Sequence, residues 1–381
     1  MRSRSKICAA VLAFAAICTP SVFAATAMNG AGSTFIDPIF TKWTEAYSKV
    51  DSGVQVNYQA IGSLQGVEDL LSHSVDFAAS DAPLHLEQLD QPACRTLFFP
   101  ATLGAVVVIY NLPEIPASTK IKLSGQVLAD IFLGKIKKWN DQAIVALNPG
   151  TALPDRDIVV AYRQDGSGTT YTFTDYLSKT SPDWAKSAGA GMVVRWPAGL
   201  HALGNQGVAE AVQSQAGGIG YVELTYAIRN KIPFAMIQNQ AGAWVEASPE
   251  GMTAAADSLI DKMPSDLQQS ITDAPGQSAY PITSYSYVLL FKRQTDSTKA
   301  EAFSRFLDWA LHDGQSYAGD LHYATLPSKV AGLAELQLKQ IDVEGANSAQ
   351  ASCKASFGPT KHNPALGANI DNDTVGSLFS D

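Results

Sequence analysis

Charge is scarce in this 381-residue chain: Asp, Glu, Lys and Arg together make up 17% of it, and the basic sign is the scarcer, 27 residues against 36 acidic. No basic patch of the kind that nucleic-acid binders carry results, which excludes that class. Cysteine is rare too, with four residues and no paired CxxC. HExxH is missing, and Asp371-Asn372-Asp373 is only a fragment of a calcium loop, so no metal is expected. His73, His85, His201, His312, His322 and His362 share no motif with a serine, which leaves a serine nucleophile without its usual base. The apolar run Ile7–Ile17 is too short to span a membrane.

That run sits behind a basic start, Met1 to Lys6, and ahead of Val22-Phe23-Ala24, the order of a secretory signal peptide. Cleavage is expected after Ala24, with Ala25 as the alternative. Ile precedes both Cys8 and Cys18, where a lipoprotein site would need a small residue, so no lipid anchor is expected. Loss of Arg2, Arg4 and Lys6 from the 27 basic residues leaves 24 against 36 acidic, a mature charge of −12. Such a surface repels anions at long range, so any anion site must rely on local dipoles and one or two cations. Cys94 and Cys353 survive cleavage; an oxidising compartment suggests one disulfide between them, with two free thiols as the alternative.

What is present is organised around Tyr162-Arg163-Gln164-Asp165-Gly166-Ser167-Gly168-Thr169-Thr170. The apolar run Asp157–Ala161 before it reads as a buried parallel strand, and Tyr171–Ser178 after it reads as a helix. One loop therefore carries a fixed cation, a carboxylate, two glycines and hydroxyls at a helix mouth, where unpaired N–H groups and the positive dipole end favour an anion. Arg163 adds a planar fork of donors. Asp-Gly-Ser-Gly is also a common turn, and on this loop alone the turn is the simpler reading. A Walker A loop is excluded, because Thr169 and not Lys follows Gly168.

Other stretches repeat the strand–loop–helix design. Thr26–Met28 leads through Asn29-Gly30-Ala31-Gly32-Ser33-Thr34-Phe35 to Asp37 as a cap, Pro38 at the first helical position, and a stripe of Ile39, Trp43, Ala46, Tyr47 and Val50. Phe35 stands where a dinucleotide fingerprint needs its third glycine, so that motif fails. Val54–Gln59 reads as a strand, with Ser63 capping the helix after it; Asp76–Ser80 is a strand that ends at Asp81-Ala82-Pro83. Leu103–Tyr110 reads as a buried strand, and Ser124 caps a helix with an apolar face of Val127, Leu128, Ile131 and Phe132. Lys135, Lys137 and Lys138 near its end read as a solvated face. Gly204-Asn205-Gln206-Gly207 opens another helix, and Gly218–Glu223, Pro233–Gln238 and Pro281–Phe291 read as strands. Residues 250–272, 302–311 and the stretch from Ser328 read as helical. Alternating strands and helices without a repeat predict parallel α/β layers, and the Gly/Ala/Asn-rich chain beyond about 340 an irregular extension.

Taken together, Gly30–Phe35, Val56–Ser63, Val75–Leu84, Leu133–Trp139, Asp165–Thr169, Gly204–Val208, Gly218–Glu223 and Pro281–Ser284 resemble the phosphate-binding proteins of bacterial phosphate ABC importers, over about Met28–Val330. The resemblance implies a two-lobed periplasmic binding protein fold, each lobe a mostly parallel sheet flanked by helices, closing on phosphate between them. Lobe one would comprise residues 25–103 and 285–340, and lobe two 104–284. It implies phosphate contacts from Ser33, Thr34, Phe35, Ser63, Asp81, Arg163, Ser167, Gly168 and Thr169, with Asp165 orienting Arg163. It further implies a periplasmic monomer that needs no cofactor and delivers phosphate to the permease subunits of the transporter. Leu64-Gln65 depart from the small residues that the family usually carries after the serine.

The chemistry agrees independently. Phosphate near neutral pH keeps an O–H that sulfate lacks, so a carboxylate such as Asp81 accepts from phosphate but faces sulfate as an unpaired like charge. Competing readings are a site for another oxyanion, a phosphohydrolase using Ser63 or Ser167, and a structural or adhesive exported protein.

Overall fold

The computed structural model describes residues 25–84, 94–116 and 118–343. The expected signal peptide, Cys353 and most of the C-terminal extension lie outside the described residues.

Eleven of the strands organise the fold: β1 (Thr26–Gly32), β2 (Val54–Ala60), β3 (Phe77–Ser80), β4 (Thr96–Tyr110), β5 (Lys122–Leu123), β6 (Val159–Arg163), β7 (Leu200–Ala202), β8 (Gly218–Glu223), β9 (Met236–Gln238), β10 (Trp244–Val245) and β11 (Thr283–Phe291). Eight of them are ordered β2-β1-β3-β11-β4-β8-β6-β7. The centre of that order is β4, which serves two sets of partners. Thr96–Ala105 run antiparallel to β11, whereas Val106–Tyr110 run antiparallel to β8. The Ile282 carbonyl accepts from the Val106 N–H at 2.8 Å. The two halves of the sheet therefore meet where β4 passes residues 105 and 106 and where the chain enters β11 at 282 and 283.

Parallel pairing holds where strand, loop and helix alternate: β1 with β2 and β3, and β6 with β7 and β8. Within the eight-stranded sheet the antiparallel pairs involve β4 and β11, which connect the halves. β4 starts seven residues earlier than the apolar run from Leu103 suggests. Pro100 lies in this added part and is accommodated because the register of β11 shifts between Ser286 and Tyr287 opposite it.

Helix starts fall close to the expected caps, with two informative exceptions. The first helix spans Asp37–Val50, so Asp37 is its first residue and Ile36 occupies the cap position. The second spans Ser63–Leu71 with Gly62 at the cap, at φ +104°, and Ser63 does not cap it, because its hydroxyl is engaged elsewhere. Residues 250–272 are helical only in part, as Pro249–Leu259 and a 3-10 turn at Ile260–Lys262. Pro264 and the left-handed backbone at Leu267 end the pattern.

Apolar residues form one core running through both halves. In the first, Phe40 stacks on Phe77 and meets Phe306 edge-on, and Trp43 donates to the Gly314 carbonyl at 2.7 Å. In the second, Tyr221 stacks on Phe173 and on Trp196. These layers hold the ends of β1, β2, β3 and β6 facing one another. Cys94 is buried and disulfide-bonded; Cys353, its expected partner, lies outside the described residues.

Candidate functional site

The loop after β1 is folded by its own serine. The Ser33 Oγ accepts from the Phe35 N–H at 2.9 Å and donates to Asp81 Oδ2 at 2.5 Å. Its main chain is pinned from three sides: Tyr58 donates to the Ser33 carbonyl at 2.7 Å, Tyr226 to that of Thr34 at 2.7 Å, and Tyr323 to that of Phe35 at 2.5 Å.

Asp81 ends β3 and is fully buried. Its second oxygen accepts from Ser286 Oγ at 2.5 Å, and its carbonyl from Ser284 Oγ at 3.0 Å. Ser33 and Ser286 thus occupy one site on each carboxylate oxygen and the Ser63 hydroxyl also bears on the carboxylate, which leaves acceptor capacity for one more partner. Burial pushes the carboxyl up to about 6, against the pull of Ser286, Ser33, Arg163 and Ser63. At neutral pH it remains mostly ionised.

Opposite stands Arg163 at the end of β6, with a side chain 1% exposed. Nε donates to Asp165 Oδ1 at 2.7 Å and Nη2 to Asp165 Oδ2, a bidentate fork. Nη1 donates to Thr169 Oγ1 at 3.3 Å. A guanidinium has five N–H groups, so after these bonds one on each terminal nitrogen is left for a ligand. Burial would depress the guanidinium, but Asp165 outweighs it and holds Arg163 above its ordinary value. Burial likewise opposes ionised Asp165, and the Arg163 charge still holds that carboxyl below its usual range. Gly204 N–H also donates to Asp165 Oδ1, at 3.1 Å.

Ser167 caps the helix Gly168–Thr180, accepting from the Thr170 N–H at 3.1 Å. Gly168 N–H donates to Ser63 Oγ at 3.1 Å. A methyl on Gly168 would stand 2.6 Å from Asp81 Oδ2 and 2.7 Å from Ser63 Oγ. Three segments, from β2, β3 and β6, therefore converge within a side chain's width, and only glycine lets the third approach.

The residues that the resemblance assigns to phosphate contacts lie on the loops just described. Ser33, Phe35, Ser63, Asp81, Arg163, Asp165, Gly168 and Thr169 share direct hydrogen bonds or atomic contacts. Thr34 joins through Asn205, whose Nδ2 donates to Thr34 Oγ1 at 2.7 Å and lies 3.3 Å from Thr169 Oγ1. Asn205 is held in turn by the Glu223 N–H, which donates to its Oδ1 at 2.9 Å. Among the described residues no cluster of three or more His, Cys, Asp or Glu side chains is placed to hold a metal. The oxygens of Ser63 and Ser167 accept from main-chain N–H groups, and the ring of His201 is bonded to Gln164, not to a serine.

Residues 20–313 match the PBP superfamily domain. Over 300 residues the chain is 43% identical to the phosphate-binding protein PstS of Xylella fastidiosa, covering 79% of this chain and 81% of that one. The chain belongs to the PstS family of phosphate-binding proteins. The PstS protein of Haemophilus influenzae is 43% identical over 315 residues, 83% of this chain and 93% of the relative. That of Methanocaldococcus jannaschii is 40% identical over 309 residues, 74% and 78% of the two chains. These relatives are named as binding proteins, not as enzymes. Among solved structures, a high affinity periplasmic phosphate-binding protein bound with phosphate superposes with a TM-score of 0.64 at 19% identity, over 82% of this chain and 93% of the other. The phosphate binding protein of Stenotrophomonas maltophilia gives 0.60 at 17% identity, over 82% and 94%. At such identities the likeness establishes the fold: the two-lobed α/β architecture of periplasmic binding proteins.

Sequence reasoning passed over Asn205, Ser284 and Ser286 in this PstS family member. Asn205 lies inside Gly204–Gly207, which reads as a helix start and as part of a family-like stretch, with no role for this side chain. Ser286 stands between two tyrosines and reads as an ordinary strand residue, although a serine opposite a buried carboxylate is its natural hydroxyl donor.

Glu223, at the end of β8, is also fully buried and is pushed up to about 8 by burial, against hydrogen bonds from the Thr225 N–H and hydroxyl. A carboxyl raised on folding contributes stability that is present below its unfolded value and is lost as pH rises through the folded one. The window is therefore about pH 4.5 to 8. Glu223→Gln is expected to match the wild type near pH 4.5 and to exceed it by a few kcal/mol, roughly, at pH 9, read as urea midpoints across that range.

Proposed function

We propose that this protein binds inorganic phosphate between its two lobes and hands it to the permease subunits of an ABC importer. It would act outside the inner membrane after loss of residues 1–24, as a monomer without enzymatic activity and without a cofactor. The observation that carries the reading is the pairing of Arg163, with two N–H groups to spare, and Asp81, with acceptor capacity to spare, across one buried point.

In this reading lobe one is residues 25–103 with 285–340, lobe two is 104–284, and the extension from 341 is tied back by Cys94 and Cys353. Arg163 gives two charge-assisted hydrogen bonds to phosphate oxygens. The start of the Gly168–Thr180 helix adds Ser167, Gly168 and Thr169 beside its positive dipole end. Ser33, Thr34 and Phe35 from the first loop and Ser63 from the second face them. Asp81 accepts the phosphate O–H. The local cation answers the problem posed by an acidic surface, since an anion repelled at long range is still captured where donors are pre-aimed.

Equilibrium dialysis with radiolabelled phosphate tests the proposal. One phosphate per chain, retained against excess sulfate, is expected, together with no turnover of a chromogenic phosphate ester. Sulfate competing equally would favour a general oxyanion carrier, and ester turnover a hydrolase. Gly168→Ala supplies a local check. Its methyl cannot fit between Asp81 and Ser63, and overpacking of this kind typically costs about 1–3 kcal/mol, so phosphate affinity should fall by about 10- to 100-fold.

A further inference from the structure

Beside the ligand-facing groups, the loops of the two halves also meet through an apolar side chain, that of Leu64. Leu64 is the second residue of the second helix, directly after Ser63, and is 3% exposed. Its N–H donates to the Gly166 carbonyl at 3.1 Å, across from the β2 side to the β6 side. The side chain lies flat on Gly166: a methyl there would stand 2.4 Å from Leu64 Cβ and 2.6 Å from Leu64 Cδ2. Next to this contact, a methyl on Gly62 would stand 2.7 Å from Asp165 Oδ2. Gln65 takes no part, being exposed and bonded through Nε2 to Asp69 at 3.0 Å.

We infer that Leu64 is a latch: it buries its side chain on Gly166 only when the lobes are closed, and so sets how long phosphate is held. This rests on the reading of the site as a closing phosphate cleft. Apolar burial depends on the area covered and not on the ligand, so the latch stabilises the closed form without favouring phosphate over sulfate. Being absent from the open form, the contact acts mainly on opening, hence on release. Leu64 touches the loop that carries Ser167 and Gly168 and is a positioning residue, not a ligand.

The experiment is stopped-flow release of phosphate from the full mature chain, with equilibrium binding in parallel. Leu64→Ala is expected to speed release by about tenfold, the equivalent of about 1.4 kcal/mol, while the ratio of phosphate to sulfate affinity stays at its wild-type value. Leu64→Met, which keeps the bulk, should release at close to the wild-type rate. Gly166→Ala should hinder closure, and Leu64→Gly in the same chain should restore it by removing the clashing Cβ. An unchanged release rate in Leu64→Ala, or no rescue of Gly166→Ala, overturns the latch while phosphate binding by the wild type still stands. Failure of the wild type to bind phosphate would instead remove the reading on which the latch rests. Urea midpoints without phosphate separate a latch from a core effect: faster release with an unchanged midpoint supports the latch, and a rate change that tracks lost stability overturns it.

Discussion

Arg163→Ala is expected to weaken phosphate binding by about 10³-fold or more. Two losses act together. The remaining N–H groups of the guanidinium disappear, and with them the one positive charge in contact with Asp165 and Thr169. Asp165 is then left beside the site with no guanidinium, 14% exposed, as a carboxylate facing a dianion. Truncating one member of a buried charge pair costs about 2–5 kcal/mol, much of it from the partner left behind, and the lost ligand contacts add to that. Arg163→Lys separates the contributions. An ammonium restores the charge but not the planar fork, so it can serve Asp165 or phosphate well, not both, and an intermediate affinity is expected. Calorimetric titration measures both variants, with near-ultraviolet circular dichroism confirming that the fold survives. A dissociation constant for Arg163→Ala within tenfold of wild type would remove Arg163 from the site.

Asp81→Asn is expected to change selectivity more than affinity. In the proposed site the wild-type carboxylate accepts from a phosphate O–H that sulfate lacks, and sites built around a ligand donor reject analogues without it by about 10⁴–10⁵. An amide turns the same position into one that can donate as well as accept. Sulfate then gains a partner where it met a like charge, and the preference for phosphate should fall by about 100-fold or more. Ser33 and Ser286 bond different carboxylate oxygens, so one hydroxyl can still donate to the amide oxygen while the other must turn to accept from the amide N–H. The same variant has a stability signature. The Asp81 carboxyl is raised from 3.8 to about 6, so its contribution is fully present below the first value and lost as pH rises through the second. Ligand-free wild type should lose stability across that window by up to about 3 kcal/mol, and Asp81→Asn should lack this slope. Equal phosphate-to-sulfate ratios in the two proteins would take the selectivity role from Asp81.

What the sequence made legible follows from how local each signal is. Gly166 stands in the loop after β6 and Gly168 opens the next helix, both beside hydroxyl residues, and close backbone approach can be read there without any partner in view. The pairing of Arg163 with Asp165 is what the family resemblance implies, and it stays within one loop. Asn205 meets Thr34 across 171 positions, and Ser286 meets Asp81 across 205; no local pattern announces either. Ser63 shows the same limit from the other side. Its sequence context is that of a cap, but its hydroxyl serves the N–H of Gly168, which a local reading cannot supply. In the fold, the first part of β4 contains Pro100, whose tolerance depends on a register shift in a strand far away in sequence. Leu64 departs from the family pattern at a position whose meaning depends on Gly166 lying against it, a contact only the assembled halves create.

The most direct test is the crystal structure of the mature protein with phosphate. Density for one tetrahedral anion is predicted between the free guanidinium edge of Arg163 and the carboxylate of Asp81, within hydrogen-bond distance of Ser63 and of the helix start at Ser167 to Thr169. An anion bound elsewhere, or none at saturating phosphate, would contradict the account.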